Sequence, residues 1–321
     1  MKAKAMTSLA RSATRAEGGF VLIAVLWILA ALATLASIYS SYTVNTAAAS
    51  RVADDRVQAE ASIRAGVEMA VFRQLALPEK ARLVRGGFDM RVGRTGVAVR
   101  FRSEGARIDL NAAPADLLTG LFTAVGIDSS RAATFAERIV GWRTKAAAGA
   151  DANAAGADGK DDKAATEDKL YSEQHMPYPP RHAPFDNTLE LSLLPGVSLA
   201  VVERLLPFVT VFSGRPEVNV SSADSTVLSA FPEMTPQILG AVLNARVNDP
   251  GDGTSLLALL GPAKARATTD RSKAFRASIS VEFDNGRRVH AEVVFRLKDQ
   301  GAEPYELLYW RDDFDGPMQS T

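Results

Sequence analysis

The sequence predicts an α+β protein: a long N-terminal helix packed on a small antiparallel sheet, with a large all-helical domain inserted between the strands. Three observations predict it. From Thr43 to Leu77 there is no proline and one glycine, and apolar or small residues recur near the 3.6-residue period. Two strand-like groups, Phe88 to Asp109 and Ala277 to Leu297, stand far apart in the chain. Between them the sequence turns helical and repeats itself.

The N-terminal run sets the compartment. From Gly18 to Ser50 the chain has no ionisable group apart from tyrosine hydroxyls. Phe20 to Tyr39 supplies about 20 apolar or small residues, enough at ~1.5 Å per residue to cross a hydrocarbon core of ~30 Å. Lys2, Lys4, Arg11 and Arg15 outweigh Glu17 ahead of it. The N-terminal side is therefore expected to stay cytoplasmic, with everything after Tyr42 across the membrane. Three readings of this start stand open. One is a secretory signal cut after Thr34-Leu35-Ala36, and another is a plain uncleaved anchor. The third takes Gly18-Gly19 before Phe20, behind a basic leader, which resembles the class III signal of type IV pilins and pseudopilins. In that family a prepilin peptidase cuts after the glycine and methylates the new N-terminus, here between Gly19 and Phe20.

Beyond the span, Val52, Ala59, Ile63, Val67, Ala70 and Val71 make one apolar stripe, and Arg51, Asp54, Asp55, Arg56, Glu60, Arg64 and Glu68 fill the other faces. The helix is expected to stop at Pro78. Val92, Val97, Val99 and Phe101 then alternate with Arg91, Ala98, Arg100 and Arg102, which reads as a hairpin or short meander. Matching strands return only at Ala277 to Phe283 and Val289 to Leu297, joined through Asn285-Gly286, with Tyr305 to Trp310 as a last strand.

The intervening segment carries the repeat. The stretch from Ile108 to Leu121 aligns with that from Val218 to Phe231, apolar on apolar. Each copy reads as a short strand ending in a helix start, at Pro114 in the first copy and at Ser221 or Ser222, with Asp224 near the positive end of the dipole, in the second. Second helices follow around Ser130 to Arg143 and Thr235 to Val247. Between the copies, Thr188 to Leu194 and Ser198 to Phe208 form a helix pair hinged at Pro195-Gly196, giving the insertion helix-hairpin-helix, SAM-like character. Ala146 to Lys169 has no large apolar residue, reads as a solvated loop, and ends at Glu167-Asp168 ahead of a proline-rich stretch.

Composition narrows function. The 321 residues are enough for two compact domains beyond the span. Formal net charge is zero, which gives no electrostatic case for nucleic acid. Cysteine is absent, which removes thiol catalysis and cysteine-ligated zinc. His175, His182 and His290 show no metal or catalytic spacing and no Gly-x-Ser-x-Gly elbow occurs, so no enzymatic activity and no organic cofactor are expected. The rival reading is a helix-hairpin-helix DNA-binding protein anchored in the membrane. Against it, Pro195-Gly196-Val197-Ser198 lacks a second glycine, and in the next helix Arg204 is balanced by Glu203, whereas phosphate binding needs several cations.

Taken in order, Gly19-Phe20, Ala24, Ile108-Asp109-Leu110-Asn111-Ala112, Glu190-Leu191, Gly196-Val197 and Val218-Asn219-Val220 resemble the minor pseudopilin K family of type II secretion systems. Most pseudopilins carry Glu at the fifth mature position, and member K lacks it, as Ala24 does here. The resemblance implies a leader at 1–19, a transmembrane helix at 20–42, a pilin-like α/β domain at 43–107 and 266–321, and an inserted α-domain at 108–265. It implies cleavage between Gly19 and Phe20 with N-methylation of Phe20, inner-membrane anchoring with a periplasmic head, and a place at the pseudopilus tip with I- and J-type minor pseudopilins. Prepilin peptidase and inner-membrane lipid are the other implied partners. Family members bind calcium through an acidic loop, which points to Glu167 and Asp168. No EF-hand spacing is present, so a solvated charge run stands beside a calcium site.

Overall fold

The computed structural model describes residues 17–145, 161–249 and 253–314. The chain divides after Ala61 into two compact units. Helix α1 (Glu17–Leu75) supplies the described part of the first unit and the opening element of the second. In the first unit the hydroxyls of Thr34, Thr43 and Thr46 turn back onto the carbonyls of Ala30, Ser40 and Tyr42, at 2.6, 2.8 and 2.9 Å. Those donors are thus satisfied by the helix itself, without water.

In the second unit, Ile63, Val67, Ala70 and Val71 of α1 are buried, the stripe expected from the sequence. Gly66 sits among them because a Cβ there would lie 3.1 Å from Val99 and 3.5 Å from Ile279. Ser62 shares a buried 2.8 Å hydrogen bond with Thr95, and the Gln74 amide holds both the N–H and C=O of Leu83. These bonds fix how the helix lies on the strands. After Pro78 the chain forms a 3-10 turn (Glu79–Ala81) and enters β1 (Arg85–Val92) and β2 (Thr95–Ser103), an antiparallel hairpin.

The insertion begins with β3 (Ile108–Asp109), α2 (Ala115–Ala124), α3 (Ser129–Arg143) and α4 (Asp161–Glu173). A 3-10 turn (Thr188–Leu193), α5 (Leu199–Leu205) and β4 (Val209–Thr210) follow, and β4 returns to pair parallel with β3. The second copy runs β5 (Val218–Asn219), α6 (Ser225–Ser229), α7 (Pro236–Asn248), α8 (Gly253–Leu259), a 3-10 turn (Gly261–Arg266) and β6 (Ala267–Thr268). Here too the last strand pairs parallel with the first. One apolar cluster, including Leu117, Leu121, Phe122, Phe135, Ile139, Leu191, Val202 and Leu228, fills the insertion.

Three local readings differ from the sequence expectation. Thr188 to Leu193 is a 3-10 turn rather than an α-helix, opened by a capping box of Asn187 and Glu190 and stopped at Leu194, which is extended ahead of Pro195. The cap of the repeat's second copy is Asp224 itself, accepting from Thr226 N at 2.8 Å, and not Ser221 or Ser222. The expected loop at Ala146 to Lys169 is helical from Asp161 onward, as α4, although its N-terminal part lies outside the described residues. Its buried face is Ala164, Glu167 and Tyr171, spaced i, i+3, i+7, a stripe too short and too polar to read as amphipathic.

The chain then returns to the sheet as β7 (Ala274–Glu282), β8 (Arg288–Leu297) and β9 (Tyr305–Asp312). Gly286 at φ +81° makes the hairpin turn between β7 and β8. The five strands run antiparallel in the order β1-β2-β7-β8-β9. The two strands that flank the insertion are thus neighbours, with Val99 opposite Ile279 and Ser103 opposite Phe275. Phe275 stacks on Phe295 at 5.7 Å and meets Phe101 edge-on at 6.3 Å.

Where the sheet gives way to the insertion, Glu104 is fully buried. It accepts from Arg276 Nε of β7 at 2.8 Å and from the Thr210 hydroxyl of β4, while Arg107 lies 3.8 Å away. Arg276 also pairs with Glu292 of β8. Burial pulls the Arg276 guanidinium down, but the charge and hydrogen bond of Glu104 outweigh it and hold the group above the usual arginine value. Removing one member of such a set leaves a buried charge uncompensated, at a cost of about 3–5 kcal/mol. Glu104→Gln is therefore expected to lower the unfolding free energy by about that amount, read as a fall in denaturant midpoint at unchanged m-value. A variant that unfolds like wild type would show that the junction holds without the charge.

Candidate functional site

Gly19 and Phe20, the expected processing pair, lie in the first turns of α1, and Phe20 is 76% exposed. Ala24, one turn on, is only partly exposed. Residues 1–16, the bulk of the expected leader, lie outside the described residues. From Phe20 onward α1 is long and apolar enough to cross a membrane. Leu22, Trp27, Leu35 and Tyr39 are all more than half exposed, so the apolar surface runs around the whole helix rather than along one stripe. A helix of that kind needs lipid or other apolar helices on every side.

The insertion is a pseudo-symmetric pair, and the motif residues quoted from the sequence acquire physical roles in it. Asp109 and Asn219, equivalent in the two copies, each close a turn with their own backbone, at 2.8 Å to Asn111 N and 3.0 Å to Ser221 N. Each also reaches across to the chain that follows its copy: Asp109 accepts from Gly214 N at 2.7 Å, and Asn219 donates to the Asp270 carbonyl at 2.8 Å. Asn111 exchanges two hydrogen bonds with the backbone of Phe185, at 2.9 and 2.7 Å. That pair pins the proline-rich segment, and Phe185 stacks on Trp142 at 5.8 Å. Glu190 accepts from Asn187 N, Asp186 N and Arg181, and Leu191 is fully buried. Gly196 takes φ +75°, a conformation that a side chain would strain.

Other organising residues gave no motif signal. Arg143 at the end of α3 donates to the carbonyls of Leu110 and Ala113, and Arg246 near the end of α7 donates to that of Ala223, the equivalent of Ala113. Each second helix thereby clamps the start of its own first helix. Gly120 of α2 packs against the backbone of Ala230, its own counterpart in the repeat, and a Cβ there would sit 1.9 Å from the Ala230 carbonyl oxygen. The two copies thus meet at equivalent positions. The small-over-small alignment of Gly120 with Ala230 was the available sequence signal.

Glu167 and Asp168 have separate surroundings. Glu167 is 5% exposed and lies against Gly141, where a Cβ would come within 2.8 Å of Oε2. Among the described residues its Oε1 has no hydrogen-bond partner, nor do Arg138 Nε and Trp142 Nε1 of α3. Burial pushes its pKa up to about 7, although Arg138 and His182 pull the other way. Asp168 is engaged by His182, whose Nε2 lies 2.9 Å from Oδ1 and whose Nδ1 faces the Thr144 carbonyl at 3.2 Å. Among the described residues no group of three or more His, Asp or Glu comes together to hold a metal ion. Calcium wants six to eight oxygens, and this pair alone does not make that cage. In the expected hairpin, Arg204 donates to the Val125 and Ala200 carbonyls, at 3.1 and 3.3 Å, so its guanidinium already serves the fold.

Burial raises the Glu167 pKa in the folded chain. The folded chain keeps a proton that the unfolded chain gives up from about pH 4.5 onward, so this stabilisation is full below that value and is lost as pH rises through about 7. Glu167→Gln is expected to unfold later than wild type at pH 8 by an amount on the order of 3 kcal/mol, with the difference vanishing near pH 4. Denaturant melts of both chains across that range check it. A difference that does not vary with pH would mean that the carboxylate is charged and paired in the folded state.

Residues 102–214 match the family model described as Type II secretion system (T2SS), protein K. No curated protein matches the chain. The fold is similar to a chain in the crystal structure of the GspK-GspI-GspJ complex from the type 2 secretion system of enterotoxigenic Escherichia coli. The TM-score is 0.60 at 17% identity, covering 82% of this chain and 98% of that one, a likeness of fold. Over residues 102–214 this chain is similar to the type II secretion system protein K family, and along most of its length its fold is similar to that of the solved structure.

Proposed function

We propose that the chain works as a minor pseudopilin of a type II secretion system, placed at the tip of a periplasmic pseudopilus. The observation that carries this reading is the family match of the insertion, at 102–214, in a chain that opens with an all-round apolar helix. The chain is anchored in the inner membrane by 20–42, with its head periplasmic. Prepilin peptidase removes 1–19 and methylates Phe20. The helix then leaves lipid for the flanks of other pseudopilins, where its uniformly apolar surface serves equally well. Ala24 suits a subunit with nothing above it: a carboxylate at that depth is costly unless a neighbour's amine meets it. Partners of I and J type are supported by the fold likeness, because the similar chain was solved within a GspK-GspI-GspJ complex. The role is assembly and not catalysis.

Intact-mass analysis of membrane-extracted protein is expected to show a methylated N-terminus at Phe20. The matured chain should also co-purify with I- and J-type minor pseudopilins from the same cells. An N-terminus at Ser37 would replace this reading with that of a secreted protein.

Calcium enters this reading in a narrower form. Asp168, half exposed, is the member of the pair open to a cation, in competition with His182, whose Nε2 lies 2.9 Å from its Oδ1, whereas Glu167 is buried. An ion that binds only the folded chain at ~100 times its Kd stabilises it by about 2.7 kcal/mol. Millimolar calcium is expected to raise the melting temperature relative to chelator, and Asp168→Ala to remove the rise. Coincident wild-type curves would take calcium out of the account.

A further inference from the structure

Helix α4 is held to the insertion by little apolar surface. Of its described side chains only Ala164, Glu167 and Tyr171 are buried, whereas α3, on which it lies, buries Ala132, Phe135, Ala136, Ile139 and Trp142. Burial of an apolar face supplies most of the force that holds a helix in a protein, and α4 has one large ring to offer. That ring, Tyr171, faces Trp142 at 6.2 Å.

The polar part of the contact opposes docking. Glu167 Oε1 is buried without a hydrogen-bond partner among the described residues, so it forfeits in the closed form the bond that water gives it in the open one. Gly141 leaves it just enough room, since a Cβ there would lie 2.8 Å from Oε2. Few directional bonds hold the helix down: the Tyr171 hydroxyl donates to the Leu193 carbonyl at 3.1 Å, and Asp168 meets His182 at 2.9 Å. The backbone beyond α4 turns sharply at two points. His175, two residues past the helix, takes φ +52°, and His182 takes φ +51°, left-handed conformations uncommon outside glycine. Pro177, Pro179 and Pro180 stiffen the chain between them, so bending is confined to its ends.

We propose that α4 is a detachable strap: it lifts off α3 as a unit, pivoting at His175, while the rest of the insertion stays folded, and so uncovers Gly141 and the side of Trp142 that faces Tyr171. Local openings range from fraying to global unfolding, and segments with few buried apolar contacts lie at the low end of that range. The clamp of Arg143 on the Leu110 and Ala113 carbonyls keeps α3 in place without α4. The inference rests on the packing of α4 alone and stands apart from the function proposed above.

The chain has no cysteine, so a single introduced thiol reports the opening. Ala164→Cys places one under α4 and Ala136→Cys one within α3, both at small buried positions. In the full chain in detergent, with excess thiol reagent, Ala164→Cys is expected to react at least about 100-fold faster than Ala136→Cys. Adding Glu167→Leu, which replaces the unpaired carboxylate by an apolar group, should slow the Ala164→Cys reaction by about 10-fold. Gly141→Ala should speed it, but not in a chain that already carries Glu167→Ala, where the crowded group is gone. Hydrogen exchange of the unsubstituted chain is a second measure that needs no variant to fold: the amides of α4 should exchange at least about 100-fold faster than those in the middle of α3. The proposal is overturned if the two thiols react at the same rate, if the amides of α4 and α3 exchange together, or if Glu167→Leu leaves the Ala164→Cys reaction unchanged.

Discussion

A carboxylate without access to water must find its compensation within the protein, and the second unit is arranged around one that does. Glu104 sits at the point where the chain leaves the sheet, and the groups that answer its charge come from far along the sequence: Thr210 at the close of the first repeat, and Arg276 just after the second. None of these groups is well placed unless both the sheet and the insertion are formed. The junction therefore couples two bodies with separate apolar cores, and does so with directional bonds that apolar packing alone would not supply.

Within the insertion the same economy appears as symmetry. Each copy is a short strand, a helix, a second helix whose arginine returns to the first helix's start, and a closing parallel strand. The two are joined through α2 and the end of α6, at Gly120 and Ala230. The contact is backbone against backbone, which fixes its geometry tightly because no side chain is present to yield. What differs between copies is peripheral: Asn111 holds the proline-rich segment in the first copy, and the aligned Ser221 in the second has no comparable reach.

Much of this was legible in the sequence because it depends on period. The stripe of Ile63, Val67 and Val71, the alternation through Val97, Val99 and Phe101, and the Asn285-Gly286 turn all express local rules that survive folding. The repeat was legible as well, since apolar positions recur in order. What could not be read was set by contacts across the chain. Glu104 looks like any exposed glutamate beside a strand, and nothing near it announces Arg276. Glu167 belongs to a stretch poor in large apolar residues, so the helix that buries it reads as loop; Gly141, which makes room for it, is distant in sequence. Arg102 and Arg276 read as the solvated faces of two strands until the register sets them side by side.

The pairing of Ser103 with Phe275 places the two ends of the insertion next to one another. A segment with adjacent ends can fold first and then present the flanking strands already in register, which removes most of the entropic cost of closing so long a loop. That cost grows only as the logarithm of loop length, so the inserted body can lengthen or shrink with little penalty to the sheet. The scaffold can thus hold its own geometry whatever the length of the body inserted into it.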